Sequence, residues 1–266
     1  MREKIKAYWE SRANQYSGTP ATTTNDIYLR ELEICNIIQT IQQIALPKNG
    51  RVLDVGCGDG YSTLMVAKAI PSFEFLGIDY SESMIKLANQ RLESQPGLQA
   101  HVSFAVGDVL ELKAVCDSLA YDLIISDRCL INLDSFERQT DAIAQIAEHT
   151  KAMGYYIAIE NFIEGHENMN RARSSVGLPE IPVRWHNLYF KEQEFISNAQ
   201  RFFDDITFKD FSSSYYFATR VIYSKMCQMR GETPDYSHEI HQLAIRLPWF
   251  GQFSPIRMAV LHKKLR

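Results

Sequence analysis

The chain has 266 residues, 45% hydrophobic and 23% charged, with a formal net charge of −4 at pH 7. That is the composition of a globular protein of one large domain, or of a domain with an elaborated cap, able to bury a core without disulfides or metals. No low-complexity segment or internal repeat is present, and the mild acidity with no dense basic run argues against a nucleic-acid substrate.

The opening residues Met1 to Glu10 contain no apolar signal region, and no run of 18 apolar residues follows, so neither a secretory signal nor a membrane-spanning helix is expected. Ile27, Ile34, Ile37, Ile38, Ile41 and Ile44 then fit one face of an amphipathic helix. From about residue 51 to 161, short apolar runs alternate with helical patterns, as in βαβ units around a parallel sheet. The predicted strands are Arg51–Gly56, Glu74–Asp79, Val102–Asp108, Tyr121–Asp127 and Gly154–Asn161. Between them, Tyr61–Ile70 reads as a helix stopped by Pro71, and Ser81 as the N-cap of a helix through Met84 and Leu87. Asp134 and Glu137 have capping-box spacing ahead of Ile143 and Ile146, and Gly154 closes that segment. Two further strands are predicted at Ile206–Ser212 and Arg257–Lys264. Between them lie an aromatic, helix-like stretch from Tyr215 to Met229 and a loop holding Pro234 and Pro248. The cysteines (Cys35, Cys57, Cys116, Cys129 and Cys227) are odd in number and form no C-x-x-C pair. Reduced thiols in a cytoplasmic protein without a metal site are the expectation.

The strongest local signal is Asp54-Val55-Gly56-Cys57-Gly58-Asp59-Gly60, which follows an apolar strand and opens a helix. Glycines in that context let a nucleotide approach the backbone. A dinucleotide fingerprint, G-x-G-x-x-G, would require glycine at position 61, where Tyr61 stands. The observed D-x-G-x-G-x-G instead resembles motif I of the class I S-adenosylmethionine-dependent methyltransferases. Asp79 ends the second strand about 20 residues on, where a carboxylate can accept from both hydroxyls of a ribose.

The resemblance covers residues 45 to 162 and implies a cofactor site. Asp54, Gly56, Cys57, Gly58 and Gly60 would wrap the methionine part and ribose. Asp79 and Tyr80 would meet the ribose, and Gly107, Asp108, Val109 and Met84 the adenine. Ser126 would lie beside the reacting methyl. The segment Tyr8 to Tyr16 also looks like family members whose first helix folds over the cofactor, which would bring Arg12 or Tyr16 to its carboxylate. An Asp at a strand end can equally cap the next helix, and the first helix can equally be a surface helix packing Trp9 on the core. The implied fold is α/β, a Rossmann-like seven-stranded and mostly parallel sheet with helices on both faces. An N-terminal helical flap would occupy 1–46, the cofactor-binding core 47–165, and the substrate-side elements, late cap insertion and last strands 166–266. The antiparallel last strand comes from the resemblance.

Ligands of open α/β sheets bind at the carboxyl ends of the strands, which brings forward Arg128 after the fourth strand and Asn161 after the fifth. The segment 182–190 mixes Trp185, His186, Asn187 and Tyr189 with bulky apolar residues, as an active-site wall would. The late aromatic stretch adds Tyr215, Tyr216 and Arg220, the last of which can equally anchor the cap to Asp204 or Asp205. His186 is the favoured general base, because imidazole titrates near neutral pH, and Glu160 is the alternative or the group that orients it. The expected reaction is O-methylation of a small molecule (a sugar, small peptide or secondary metabolite), leaving S-adenosylhomocysteine. N-methylation, a protein or RNA acceptor, a non-catalytic cofactor-binding subunit and an NAD-dependent dehydrogenase stay open. Oligomeric state is not legible.

Overall fold

The computed structural model describes residues 1–116 and 120–264. Its sheet has strands β1 (Arg51–Val55), β2 (Glu74–Asp79), β3 (Val102–Val106), β4 (Tyr121–Asp127), β5 (Thr150–Asn161), β6 (Asp205–Lys209) and β7 (Ile256–His262). They lie in the order β3-β2-β1-β4-β5-β7-β6, and β7 runs antiparallel to β5 and β6. The predicted seven-stranded, mostly parallel sheet is the observed one. Its inner strands are apolar through their middles, as at Val52, Leu53, Leu123, Ile124 and Ile125, because helices cover both faces. Leu53, Val55 and Ile124 pack on one side with Ile143 and Ile146, while Val52, Leu123 and Ile125 pack on the other with Ile34, Ile37 and Ile41.

The helices are α1 (Arg2–Gln15), α2 (Ile27–Gln43), α3 (Tyr61–Ala69), α4 (Glu82–Glu93), α5 (Lys113–Cys116), α6 (Phe136–His149), α7 (Ile163–Ser175) and α8 (Glu192–Ala199). Past β6 come α9 (Ser213–Tyr216), a π-helical turn (Phe217–Tyr223), α10 (Ser224–Arg230) and α11 (Glu239–Ala244). The aromatic stretch is thus helical as predicted, but α11 lies inside what reads as a loop. Ser81 caps α4, accepting from Met84 N at 3.1 Å. Ser135, not Asp134, caps α6 by accepting from Arg138 N, and Asp134 instead pairs with the Arg138 side chain. The fifth strand starts at Thr150, four residues before Gly154, because its register with β4 shifts between Tyr121 and Leu123. No helix among the described residues is long and apolar enough to cross a membrane.

Strand connections turn in opposite directions on either side of the β1–β4 pair. That reversal leaves a crevice at the carboxyl ends of β1 and β4, where open α/β sheets bind their ligands. Here α1 and α2 meet it from one side and the segment after β5 from the other.

Candidate active site

The glycine loop leaves β1 with Gly56 N and Cys57 N donating to Ile78 O at 2.8 and 2.9 Å, which pins it to the end of β2. Gly56 has φ +74°, and a Cβ there would stand 2.4 Å from Cys129 Sγ, so both backbone conformation and space require glycine. Asp54 is buried under the loop and accepts from Thr63 Oγ1 at 2.5 Å, so it holds the start of α3 to β1. Burial pushes its carboxyl up to about 7.

Asp79 closes the next wall. Its two carboxylate oxygens accept from Gly58 N at 3.1 Å and Ser81 N at 2.9 Å, and burial pushes the group up to about 6. Beside it, Asp79, Tyr80, Gly107, Asp108 and Val109 line a small recess of about 40 Å³ at the ends of β2 and β3. Asp108 accepts from Leu110 N at 3.0 Å and is also paired with Arg2 of α1. Met84 is buried and faces the main cavity next door.

The helix α1 straps across this edge. Trp9 Nε1 donates to Asn132 Oδ1 at 3.1 Å, and Glu10 accepts from Ser83 N at 3.3 Å. The first helix therefore does lie over the site, but through Arg2, Trp9 and Glu10. Arg12 and Tyr16 are not on the cavity lining: the Arg12 guanidinium donates to the carbonyls of Ala21 and Thr22 and stacks on the Tyr16 ring. Those contacts tie the end of α1 to the turn before α2.

Two charges on α2 complete the crevice. Glu33 is fully buried and takes Arg128 on both oxygens, at 3.1 Å each. Arg128 sits just past β4 with φ +52°, a left-handed conformation uncommon for a non-glycine residue, held by its N–H donating to Ile159 O at 2.7 Å. One turn earlier, Arg30 is 6% exposed and lies over the Tyr61 ring at 3.9 Å. Its Nε and one terminal nitrogen have no hydrogen-bond partner, and it lines a recess with Asp54, Gly56 and Gly58. A buried, unsatisfied guanidinium is costly, and the nearby charge of Asp59 opposes that cost.

The main cavity, about 290 Å³, opens between the glycine loop and the late elements. It gathers Arg128, Asn161, His186, Asn187, Tyr189, Tyr216 and Arg220 from the sequence-predicted set, with Gly56, Gly58, Asp79, Tyr80 and Met84 on its cofactor side. The others stand elsewhere. Trp185 is half exposed, with Lys4 over its ring at 4.8 Å and Tyr8 against its edge. Tyr215 is buried behind the wall, where its hydroxyl donates to Asp26 at 2.5 Å. Arg220 does line the cavity, but its ion-pair partner is Asp26 of the turn before α2, not Asp204 or Asp205.

Glu160 and Ser126 point into the other layer of the sheet. Ser126 Oγ donates to Glu160 at 2.8 Å, and Leu130 N and Ile131 N donate to the same carboxylate at 3.0 and 3.3 Å. With both oxygens occupied and no exposed surface, Glu160 is a strut under the loop after β4, not a base open to an acceptor. Ser126 shares that strut through Tyr156, at 2.8 Å, and does not reach the cavity. His186 is on the wall, stacked on Tyr8 with ring centroids 4.6 Å apart, and its Nδ1 has no partner. Burial, helped by Arg184 and Arg12, pushes it down to about 4, so it is neutral at pH 7 and weakly basic.

A methyltransferase domain family matches residues 46–181, which is half of the sequence. The chain belongs to that family. This methyltransferase is 24% identical over 200 residues to a malonyl-[acyl-carrier protein] O-methyltransferase of Halalkalibacterium halodurans, covering 73% of this chain and 70% of that one. It is 37% identical over 101 residues to an ajmaline N-methyltransferase of Rauvolfia serpentina, covering 38% of this chain and about a third (33%) of that one. The solved magnesium protoporphyrin IX methyltransferase of Synechocystis, with bound S-adenosylhomocysteine, shares the fold at TM-score 0.62 and 14% identity, covering 99% and 98% of the two chains.

The methyltransferase is thus an S-adenosylmethionine-dependent enzyme, and its residues fit that cofactor on their own evidence. The positive-φ glycines leave open backbone, Asp79 is buried at the edge of the cavity, and Arg30 waits unpaired beside the loop. Trp9, Asp26 and Arg30 are the residues that sequence reasoning missed. For Arg30 a signal existed, since it shares the buried stripe of α2 with Ile34, Ile37 and Ile41.

Proposed function

We propose that this methyltransferase O-methylates a small molecule bound in the main cavity, from a cofactor held against the glycine loop, Asp79, Arg30 and the recess around Asp108. The observation that carries the reading is the cavity itself. Its volume of about 290 Å³, cofactor side included, is near the lower end for small-ligand sites. Asn161, Asn187, Tyr189 and Tyr216 set polar groups among its apolar walls. Arg184, which lines the cavity without a carboxylate partner among the described residues, disfavours a protonated amine and so favours oxygen over nitrogen. The two relatives named above carry an O-methyl and an N-methyl activity in their names, so the choice rests on the cavity. The five unbridged cysteines suit a cytoplasmic location.

When bound, S-adenosylmethionine supplies an electrophilic methyl on a sulfonium. The chain's part is positioning. Asp79 would accept hydroxyl hydrogen bonds at one end, Arg30 would pair with a carboxylate at the other, and the cavity walls would exclude water and align the acceptor. Methyl transfer from isotope-labelled S-adenosylmethionine into a size-fractionated cell extract tests the proposal. Label is expected on oxygen in the low-mass fraction, whereas label in protein or RNA, or on nitrogen, would reject it.

Asp79 gives the binding step a pH dependence. Its carboxylate form accepts from the ribose, and its carboxyl stands at about 6 in the free protein because burial raises it. Protonation removes the acceptor, so affinity for S-adenosylhomocysteine is lost as pH falls through 6 and is level above it. The expected loss is roughly tenfold per pH unit below that point. Calorimetric titrations from pH 5 to 8 check this, with Asp79→Asn as the flat control; an equal slope in both proteins would remove Asp79 from the interaction.

A further inference from the structure

We infer that the acceptor is a small carboxylic acid, drawn to the cavity by Arg184 and methylated on a carboxylate oxygen. This rests on the small-molecule reading above and narrows it to one chemical class. The first ground is the charge pattern of the lining. Asp26 pairs with Arg220 and accepts from Tyr215, Arg128 is shared by Glu33 and Asp127, whose carboxyls burial pushes up, and Asp79, on the cofactor side, accepts from two backbone amides. Arg184 lines the same cavity, yet among the described residues it has no carboxylate partner. Two cations of α1 reinforce it: Lys4 lies over Trp185, and Arg12 is held on backbone carbonyls and aromatic faces, again without a carboxylate. Glu167 and Glu180 act on His166 but are not on the lining. Arg184 therefore offers the acceptor an exposed guanidinium that no carboxylate occupies, which favours an anion over an ammonium.

The second ground is the lack of a suitable base among the described lining residues. Glu160 is sealed beneath the loop after β4, Asp26 is committed to Arg220, Asp127 to Arg128, and Asp79 to the loop amides. His186 lines the cavity, but its partnerless Nδ1 is buried, and burial with two neighbouring arginines makes it a poor proton acceptor; His166, also on the lining, has its Nε2 against Asn170 Nδ2 at 3.3 Å and is likewise pushed down by burial. A hydroxyl nucleophile would have to shed a proton into this site, whereas a carboxylate arrives already ionised. The balance closes without a base. The bond formed joins carboxylate oxygen to the methyl carbon, and the bond broken joins that carbon to sulfur, which keeps the electron pair. The sulfonium and carboxylate charges cancel, and no proton leaves.

The test gives the wild-type enzyme labelled S-adenosylmethionine and the low-mass fraction of a cell extract, then treats the product with mild alkali. A methyl ester releases volatile labelled methanol, while methyl ethers and N-methyl groups keep their label. Volatile label is expected, and Arg184→Gln should raise the KM for that acceptor about tenfold or more. The same variant should bind S-adenosylhomocysteine like the wild type in calorimetry, with Arg184→Lys recovering part of the KM. Alkali-stable label in the low-mass fraction would overturn the carboxylic acid while sparing the small-molecule reading. Label in protein or RNA would overturn that reading as well. An ester-forming enzyme whose KM ignores Arg184→Gln would remove Arg184 from recognition.

Discussion

Arg30→Met weakens binding of S-adenosylhomocysteine by roughly 30-fold and leaves binding of methylthioadenosine, which lacks the amino-acid part, within about threefold. The expectation follows from an imbalance inside the free protein. Arg30 is buried, its Nε and one terminal nitrogen donate to nothing, and the Tyr61 face beneath it offers only cation–π attraction. Desolvation pushes its pKa down, with Asp59 opposing. A ligand carboxylate beside the glycine loop would relieve that penalty through charge-assisted hydrogen bonds, worth about 1.5–3 kcal/mol. Methionine keeps the unbranched apolar stem of the side chain while removing the charge, and it also removes the desolvation penalty, so the fold should not suffer. Calorimetry with the two ligands separates the cases: equal losses for both would mean a general distortion of the loop, and no loss for either would mean that Arg30 faces something else.

What could be read in advance follows the range of the interactions. The glycine loop and Asp79 lie within about 30 residues of one another, and local backbone chemistry alone demands them, so their pattern survives in a linear string. The apolar runs of β1 to β5 are legible for a similar reason, since burial on both faces leaves few polar positions. Glu160 and Ser126 look like site residues because they sit at strand ends, but strand parity turns them into the opposite layer from the cavity. Parity could have been counted; the partners that fill the Glu160 carboxylate, Leu130 N and Ile131 N, could not, because they come from a loop 30 residues away in sequence. Arg220 illustrates the same limit from the other side. Its charge is evident and acids stand near it in sequence, yet its partner Asp26 is 194 positions away, a pairing set by tertiary structure alone. Arg30 is the instructive middle case, since a charged residue in register with a buried isoleucine stripe is a visible conflict with patterning, and such conflicts gather at functional sites.

Asp26→Ala should destabilise the protein by about 3–5 kcal/mol, because it strands a buried cation. Asp26 is 5% exposed and does three things at once: it caps α2 through Leu29 N at 3.1 Å, accepts from Tyr215 Oη at 2.5 Å, and pairs with Arg220. Tyr215 Oη lies 2.6 Å from His241 Nδ1, so the carboxylate links the start of α2 to α9, the π-helical turn and α11. Urea unfolding checks the magnitude, and a loss below about 1 kcal/mol would show the pair to be dispensable. The double variant Asp26→Asn with Arg220→Met should be less destabilised than Asp26→Ala, since no charge is left without a partner while the amide can still cap α2. The same link has a catalytic reading. Asp26 and Arg220 both line the cavity, one from the flap side and one from the cap side, whereas the glycine loop and Asp79 are held by backbone hydrogen bonds of their own. Loosening the pair therefore separates the acceptor walls before it disturbs the cofactor walls. In the double variant the acceptor KM should rise more than the S-adenosylhomocysteine dissociation constant, and the reverse order would mean that the flap reports on the cofactor instead.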